Sequence, residues 1–115
     1  MTLNLIQNIR SFDDESQILV VENSKNNEFL KHNLSSQANI DLIETGRNLG
    51  YAGGNNAGLK YLSSKTGTDF VFVCNPDIRL TKLSIDKMKE VIIENENISL
   101  LGSQIHDSEG KVQQS

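Results

Sequence analysis

The chain has 115 residues, a length that suits one domain with one modest core. Its 11 basic residues stand against 15 acidic ones, and the net charge of −4 argues against nucleic acid or an anionic membrane as the main partner. The single cysteine, Cys74, excludes an intramolecular disulfide, and no apolar run is long enough to cross a bilayer. These features predict a soluble, cytoplasmic domain.

The first half of the chain alternates helical and strand patterns. Apolar residues recur at helical spacing over residues 3–12, which predicts an amphipathic helix. Residues 18–21 form a continuous β-branched and apolar run that is typical of a strand covered on both faces. A turn at 23–27 then precedes a short helix that ends near Leu34, and residues 41–44 predict a second strand.

The second half continues the alternation. We expect a helix over residues 55–63, a strand over 70–74 that Pro76 must end, and a helix capped by Ser84. A further strand is predicted over 98–105, followed by a hairpin turn at 107–110. Strands separated by helices imply right-handed βαβ units, so the predicted fold class is α/β, three-layered, with a mainly parallel sheet.

Five of the eight glycines lie within residues 46–58, directly after the second predicted strand. The segment has neither the P-loop spacing nor that of the dinucleotide fingerprint. Its paired glycines would let the backbone approach a ligand, and Asn55 and Asn56 would add amide groups at a helix N-terminus. The alternative is that Gly54 and Gly58 only let a helix pack closely against the sheet, with Asn55 capping that helix.

Two further loops follow predicted strands. Asp77 comes just after the apolar run at 70–74, where a carboxylate suits a divalent cation, although this motif taken alone favours an ordinary turn in which Asp77 caps local backbone N–H groups. Glu22 and Asn23 end the first strand and could hydrogen-bond a nucleobase or ribose, or simply form a turn. Because ligands bind at the carboxyl ends of parallel strands, all three loops could face one crevice.

Taken together and in order, these motifs resemble a known family. The matching stretches are Val20-Val21-Glu22-Asn23-Ser24, Arg47-Asn48-Leu49-Gly50-Tyr51-Ala52-Gly53-Gly54-Asn55-Asn56-Ala57-Gly58 and Phe72-Val73-Cys74-Asn75-Pro76-Asp77. They resemble the nucleotide-sugar-binding half of family 2 glycosyltransferases, which have the Rossmann-like GT-A fold. In particular they are similar to the rhamnosyltransferase-like branch, which carries Asn-Pro-Asp where other members carry Asp-x-Asp.

The resemblance implies a role for each matching position. Glu22, where the family usually has Asp, would contact the nucleobase, and residues 48–56 would line the nucleotide-sugar pocket. Asp77 would ligate Mg²⁺ or Mn²⁺ bridging the diphosphate, with Asn75 nearby, and the metal would neutralise charge on the leaving group. The implied nucleotide-sugar-binding residues are Glu22, Asn23, Asn48, Gly50, Gly53, Gly54, Asn55, Asn56, Asn75 and Asp77.

The resemblance also implies an activity and its partners. The reaction would be an inverting, metal-assisted glycosyl transfer from a nucleoside-diphosphate sugar to an unidentified acceptor glycan or lipid-linked sugar, in bacterial surface-polysaccharide synthesis. A longer form could lie at the inner membrane surface. Family members are much longer, so residues 1–115 would form a single partial domain that starts after the family's first strand and stops before the acceptor half. No catalytic base can then be assigned, and we expect little or no transfer by this chain alone.

Three hypotheses remain alongside that expectation. Unpaired sheet edges left by a missing strand would favour a homo-oligomer formed by strand addition. A non-catalytic nucleotide-binding or regulatory α/β module would bind nucleotide without metal dependence. A protein-interaction domain would use its glycines for packing only, with no nucleotide affinity.

Overall fold

The computed structural model describes residues 1–65 and 67–113. In chain order the elements are α1 (Thr2–Arg10), β1 (Ile18–Glu22), α2 (Glu28–Leu34), β2 (Ile40–Glu44), α3 (Gly50–Ser63) and α4 (Lys82–Glu94). They divide into two compact units: a central unit of residues 13–75, and a terminal unit that combines residues 1–12 with the chain from Pro76 onward. Within the described residues, no helix is both long and apolar enough to cross a membrane.

The central unit is a βαβ arrangement followed by a second helix. β1 and β2 pair in parallel, with Ile18 opposite Ile40 and Glu22 opposite Glu44, and α2 connects them. The side chain of Asn27 caps α2 by accepting a hydrogen bond from the Leu30 amide. The α/β class, the two strands and the intervening helix are therefore confirmed. The β1 residues are half-buried rather than fully covered, contrary to the expectation of a strand enclosed on both faces.

α3 begins earlier than its sequence predicts. The glycine segment was expected to be a loop leading to a helix at 55, but the helix already starts at Gly50. Glycine has low helix propensity, so local preferences favour a loop here. Packing overrides that preference because Gly54 and Gly58, one turn apart, are buried on the side of α3 that meets β1. Asn55 lies inside the helix, so its predicted capping role is wrong.

Two predicted strands are wrong. Neither residues 70–74 nor residues 98–105 form a strand, and the extended sheet of the described chain has two strands only. A strand requires a neighbouring backbone to hydrogen-bond with, and apolar, β-branched composition cannot supply one. The larger three-layered architecture is accordingly not formed by the described residues.

The terminal unit contains α1, α4 and the predicted hairpin turn. Asn8 joins its two parts: the side-chain amide donates to the Leu80 carbonyl at 2.9 Å and accepts from the Leu80 N–H at 2.7 Å. α1 is confirmed, whereas α4 begins with Thr81 as its N-cap rather than Ser84. The turn at 107–110 is confirmed by the antiparallel bridge between His106 and Val112.

Candidate functional site

The start of α3 is held by a set of hydrogen bonds that we call the Asn23 network: Asn23, Thr45, Asn48, Leu49 and Gly50. Asn23 directly follows β1, and its Oδ1 accepts from the Leu49 amide at 3.1 Å. Its Nδ2 lies 2.8 Å from the Gly50 carbonyl oxygen and 3.4 Å from Asn48 Oδ1. Asn48 Oδ1 in turn accepts from the Gly50 amide at 2.8 Å. Side chains from outside α3 therefore satisfy the first N–H groups of that helix.

Thr45 links this network to the sheet. Its hydroxyl oxygen lies 3.0 Å from Asn23 Oδ1 and 2.7 Å from the Arg47 carbonyl oxygen. Its backbone amide donates to the Glu22 carbonyl at 3.0 Å, which extends the β1–β2 pairing by one residue. Sequence reasoning missed Thr45. The available signal was its position between a strand and Gly46, which has φ of +79°.

Glycine is required at several positions of α3. Gly50 has φ of +77°, a left-handed conformation that other residues adopt only at a cost. A Cβ at Gly54 would lie 2.9 Å from Asn23 Nδ2, and one at Gly53 would lie 2.7 Å from Leu49 Cβ. A Cβ at Gly58 would lie 2.9 Å from Val21 Cγ2. The glycines thus allow close packing against β1 and the Asn23 side chain, which is the packing alternative that the sequence left open for Gly54 and Gly58.

Glu22 is occupied by its own turn. Its half-buried carboxylate accepts hydrogen bonds from the Ser24 hydroxyl and, at 3.1 Å, from Asn27 Nδ2. Since Asn27 also caps α2, Glu22 helps to fix the connection between β1 and that helix. Contact between Glu22 and a nucleobase stays a prediction.

The remaining predicted site residues present free polar groups. Asn55 is half-buried and Asn56 exposed in the second turn of α3, while Asn75 and Asp77 are exposed in the loops that follow. Within the described part of the chain, none of these four side chains has a hydrogen bond or ion pair. The convergence of residues 48–56 with Asp77 around one diphosphate stays a prediction.

The described residues do not form a complete metal site from protein side chains alone. Across residues 1–65 and 67–113, no group of three or more His, Cys, Asp or Glu side chains could hold a metal ion. A single exposed carboxylate such as that of Asp77 fits Mg²⁺ only as one ligand among several. That is the usual arrangement for Mg²⁺ when phosphate oxygens and water supply the others.

Two other polar features lie outside the Asn23 network. Burial raises the pKa of the Cys74 thiol, so its neutral form is favoured and it is not an activated nucleophile. At the C-terminal end of α3, the Tyr61 hydroxyl donates to Asp41 Oδ2 at 2.8 Å. Lys65 lies 3.8 Å from the same oxygen, and its pKa is raised by its interaction with Tyr61 and by the charge of Asp41. These contacts fasten α3 to β2.

Comparison with known proteins gives one informative similarity. No model of a protein family matches the chain, and no solved structure matches it. Over 95 residues, or 83% of its length, the chain is 33% identical to a low-salt glycan biosynthesis hexosyltransferase of Haloferax volcanii. The chain spans 30% of the length of that relative. The similarity supports a glycosyltransferase relationship in general terms.

Proposed function

We propose that this chain is the donor-binding portion of a glycosyltransferase that uses a nucleoside-diphosphate sugar. The observation that carries the proposal is the similarity to a glycan biosynthesis hexosyltransferase over 83% of the chain. The family 2 assignment, the rhamnosyltransferase-like branch, the GT-A fold and the inverting course follow from the sequence resemblance. In this proposal the acceptor is a glycan or lipid-linked sugar that belongs to surface-polysaccharide synthesis.

The start of α3 is the proposed place for the diphosphate. No side chain of residues 1–65 and 67–113 caps the N–H groups of Tyr51 and Ala52, which lie in the first turn of the helix. Unpaired N–H groups at a helix N-terminus, together with the helix dipole, favour anionic groups. Gly50 and Gly53 leave the backbone without a covering side chain there, and Asn56 adds an exposed amide. These features support a site for phosphate oxygens, with Asn48, Gly54 and Asn55 shaping the surrounding backbone.

The proposed metal would be held by Asp77. When bound, Mg²⁺ or Mn²⁺ would offset charge on the diphosphate leaving group. The chain's own contribution is one exposed carboxylate, with the Asn75 amide two residues earlier as a second oxygen donor. Nucleotide binding by this chain should therefore depend on the metal, since metal and diphosphate complete each other's coordination.

A titration tests this proposal directly. UDP, GDP and dTDP are each added to the 115-residue chain with and without Mn²⁺, and binding is followed by calorimetry and by amide chemical shifts. We expect one or more nucleotides to bind more tightly with Mn²⁺ and to shift the amides of Tyr51 and Ala52. Asp77→Asn should weaken Mn²⁺-dependent binding at least about tenfold, which corresponds to about 1.4 kcal/mol.

Asp14→Asn is the matched control, because Asp14 is also an exposed aspartate but is not part of the proposed site. It should leave nucleotide affinity unchanged. Nucleotide binding that is independent of Mn²⁺ and unchanged by Asp77→Asn would instead support a non-catalytic nucleotide-binding module. A complete lack of nucleotide binding would support the protein-interaction hypothesis.

Association between copies is a further part of the proposal. Among the described residues, β1 pairs with β2 alone, so its other edge has no strand beside it. Phe70, Val71, Phe72 and Val73 expose between 37 and 53% of their surface. An unpaired edge and an exposed β-prone segment both favour strand addition from a second copy. Light scattering over increasing concentration should show association that Phe72→Lys reduces; a monomer at every concentration would contradict it.

A further inference from the structure

The side chain of Asn23 is engaged by the residues at the start of α3. An asparagine side chain offers two acceptor lone pairs on its oxygen and two N–H donors. In Asn23 the oxygen contacts the Thr45 hydroxyl at 3.0 Å and the Leu49 amide at 3.1 Å. The nitrogen contacts the Gly50 carbonyl at 2.8 Å and Asn48 Oδ1 at 3.4 Å. The bonds to the Leu49 amide and the Gly50 carbonyl fix the orientation of this side chain, so turning it toward a nucleobase or ribose would first have to break them.

The network also explains how α3 can begin where it does. The N-cap residue of α3 is Leu49, whose side chain cannot accept a hydrogen bond. Asn23, 26 residues earlier in the chain, instead fixes this N-cap residue by accepting a hydrogen bond from its backbone amide. The helix approaches so closely that Gly54 leaves no space for a Cβ next to the Asn23 amide. Asn23 and Gly54 thus fit each other, and together they set the position of the first turn of α3 relative to β1.

We propose that Asn23 is a positioning residue: it holds the first turn of α3 in the conformation that receives the diphosphate of the nucleotide. The identity of the ligand rests on the proposed function above. The positioning of the first turn of α3 by Asn23 is independent of that function, because it depends only on contacts between residues of this chain. Asn23 therefore acts through Leu49 and Gly50 and does not itself touch the nucleotide.

The test compares Asn23→Ala with Asn27→Ala. Asn27 is also a half-buried asparagine that caps a helix of the central unit, but it caps α2, and among the described residues it has no hydrogen bond to α3. Hydrogen exchange is measured at the Leu49 and Gly50 amides, and nucleotide affinity is measured with the tightest binder among UDP, GDP and dTDP in Mn²⁺. A merely structural role would make the two variants behave alike at equal loss of thermal stability.

We expect Asn23→Ala to speed exchange at Leu49 and Gly50 about tenfold or more and to weaken nucleotide binding about tenfold, while Asn27→Ala leaves exchange at both of these amides unchanged. Asn23→Asp keeps the oxygen that faces the Leu49 amide, so it should restore protection at Leu49 and provides a folded variant if alanine is too disruptive. Unchanged exchange or unchanged affinity in Asn23→Ala, or equally accelerated exchange at Leu49 and Gly50 in Asn27→Ala, would overturn the positioning role. If the unmodified chain binds no nucleotide, the proposed function fails while the exchange data still decide whether Asn23 holds α3.

Discussion

The two longest helices begin in different ways. α4 is capped locally: Thr81 Oγ1 accepts from the Ser84 amide at 3.1 Å, three residues along the chain. α3 is held by a contact that we call its long-range cap: its N-cap residue, Leu49, donates its own backbone amide to Asn23 Oδ1, directly after β1. A local cap forms whenever the helix forms. A long-range cap forms only when the sheet and the helix are both in place, so the start of α3 is coupled to the folding of β1 and β2.

This difference bears on the proposed site. The first turn of α4 carries its own Thr81 cap, which occupies the N–H of Ser84. In α3, Asn23 accepts from the Leu49 amide and Asn48 from the Gly50 amide, and no side chain of the described residues caps the N–H groups of Tyr51 and Ala52. A helix that is positioned from outside can keep part of its N-terminus free for a ligand.

The largest effect is expected for Gly54→Ala. The added Cβ would lie 2.9 Å from Asn23 Nδ2, and overpacking of this kind typically lowers the free energy of unfolding by about 1–3 kcal/mol. In an Asn23→Ala background the obstructing amide is gone, and alanine has the higher helix propensity, so the same change should become neutral or stabilising. Urea unfolding followed by circular dichroism measures all four proteins of the cycle.

Gly58→Ala is the matched control for that cycle. Its Cβ would lie 2.9 Å from Val21 Cγ2, away from the Asn23 side chain. It should therefore destabilise the unmodified chain and the Asn23→Ala variant by the same amount. Simple additivity between Asn23→Ala and Gly54→Ala would show that the long-range cap and the glycine are independent, contrary to the structure.

Gly50→Ala should have the next largest effect. With φ of +77°, position 50 is left-handed, and a residue with a Cβ pays about 1–2 kcal/mol there. Nothing lies within 4 Å of the added Cβ, so the loss is purely a backbone effect. Gly50→Asn should lose less stability, because asparagine tolerates this conformation. Equal stability of Gly50→Ala and the unmodified chain in urea would contradict the left-handed start of α3.

Removing the local cap should have a moderate effect. Thr81→Ala deletes the acceptor for the Ser84 amide, and such changes typically cost about 1 kcal/mol. Amide exchange at Ser84 should accelerate while exchange at Leu49 stays constant. Thr81→Ser retains the hydroxyl and should restore most of the stability. Faster amide exchange at Leu49 in Thr81→Ala would show that the stabilities of the two helix N-termini are coupled, contrary to this prediction.

The smallest effect is expected on the exposed face of α4. Lys82 pairs with Asp86 four residues later, and both side chains are more than half exposed. Lys82→Ala should therefore change the free energy of unfolding by no more than about 0.5 kcal/mol. The difference should shrink further at a salt concentration of about 0.5 M, since exposed charges are screened. A loss comparable to that of Thr81→Ala in urea unfolding would show that the pair contributes more than an ordinary surface interaction.

Sequence patterns predicted the parts of the fold that depend on neighbours along the chain. The apolar runs at 18–21 and 41–44 predicted β1 and β2, and apolar spacing predicted α1. The motif residues Asn23, Asn48 and Gly54 were found from the sequence, but as groups for a ligand. The sequence does not reveal that these residues hydrogen-bond and pack with one another, because the partners are distant in the chain: Asn23 and Leu49, for example, are 26 residues apart. Thr45 had no motif and was missed.

The amino-acid sequence by itself determined the α/β class, the parallel βαβ unit and the clustering of glycines after β2. Only the tertiary structure decided that the glycine segment is helical, and that residues 70–74 are not a strand. The physical reason is the same in both cases. Backbone groups need hydrogen-bond partners, and here the partners come from distant segments: Asn23 provides them at the start of α3, while no described strand provides them for residues 70–74.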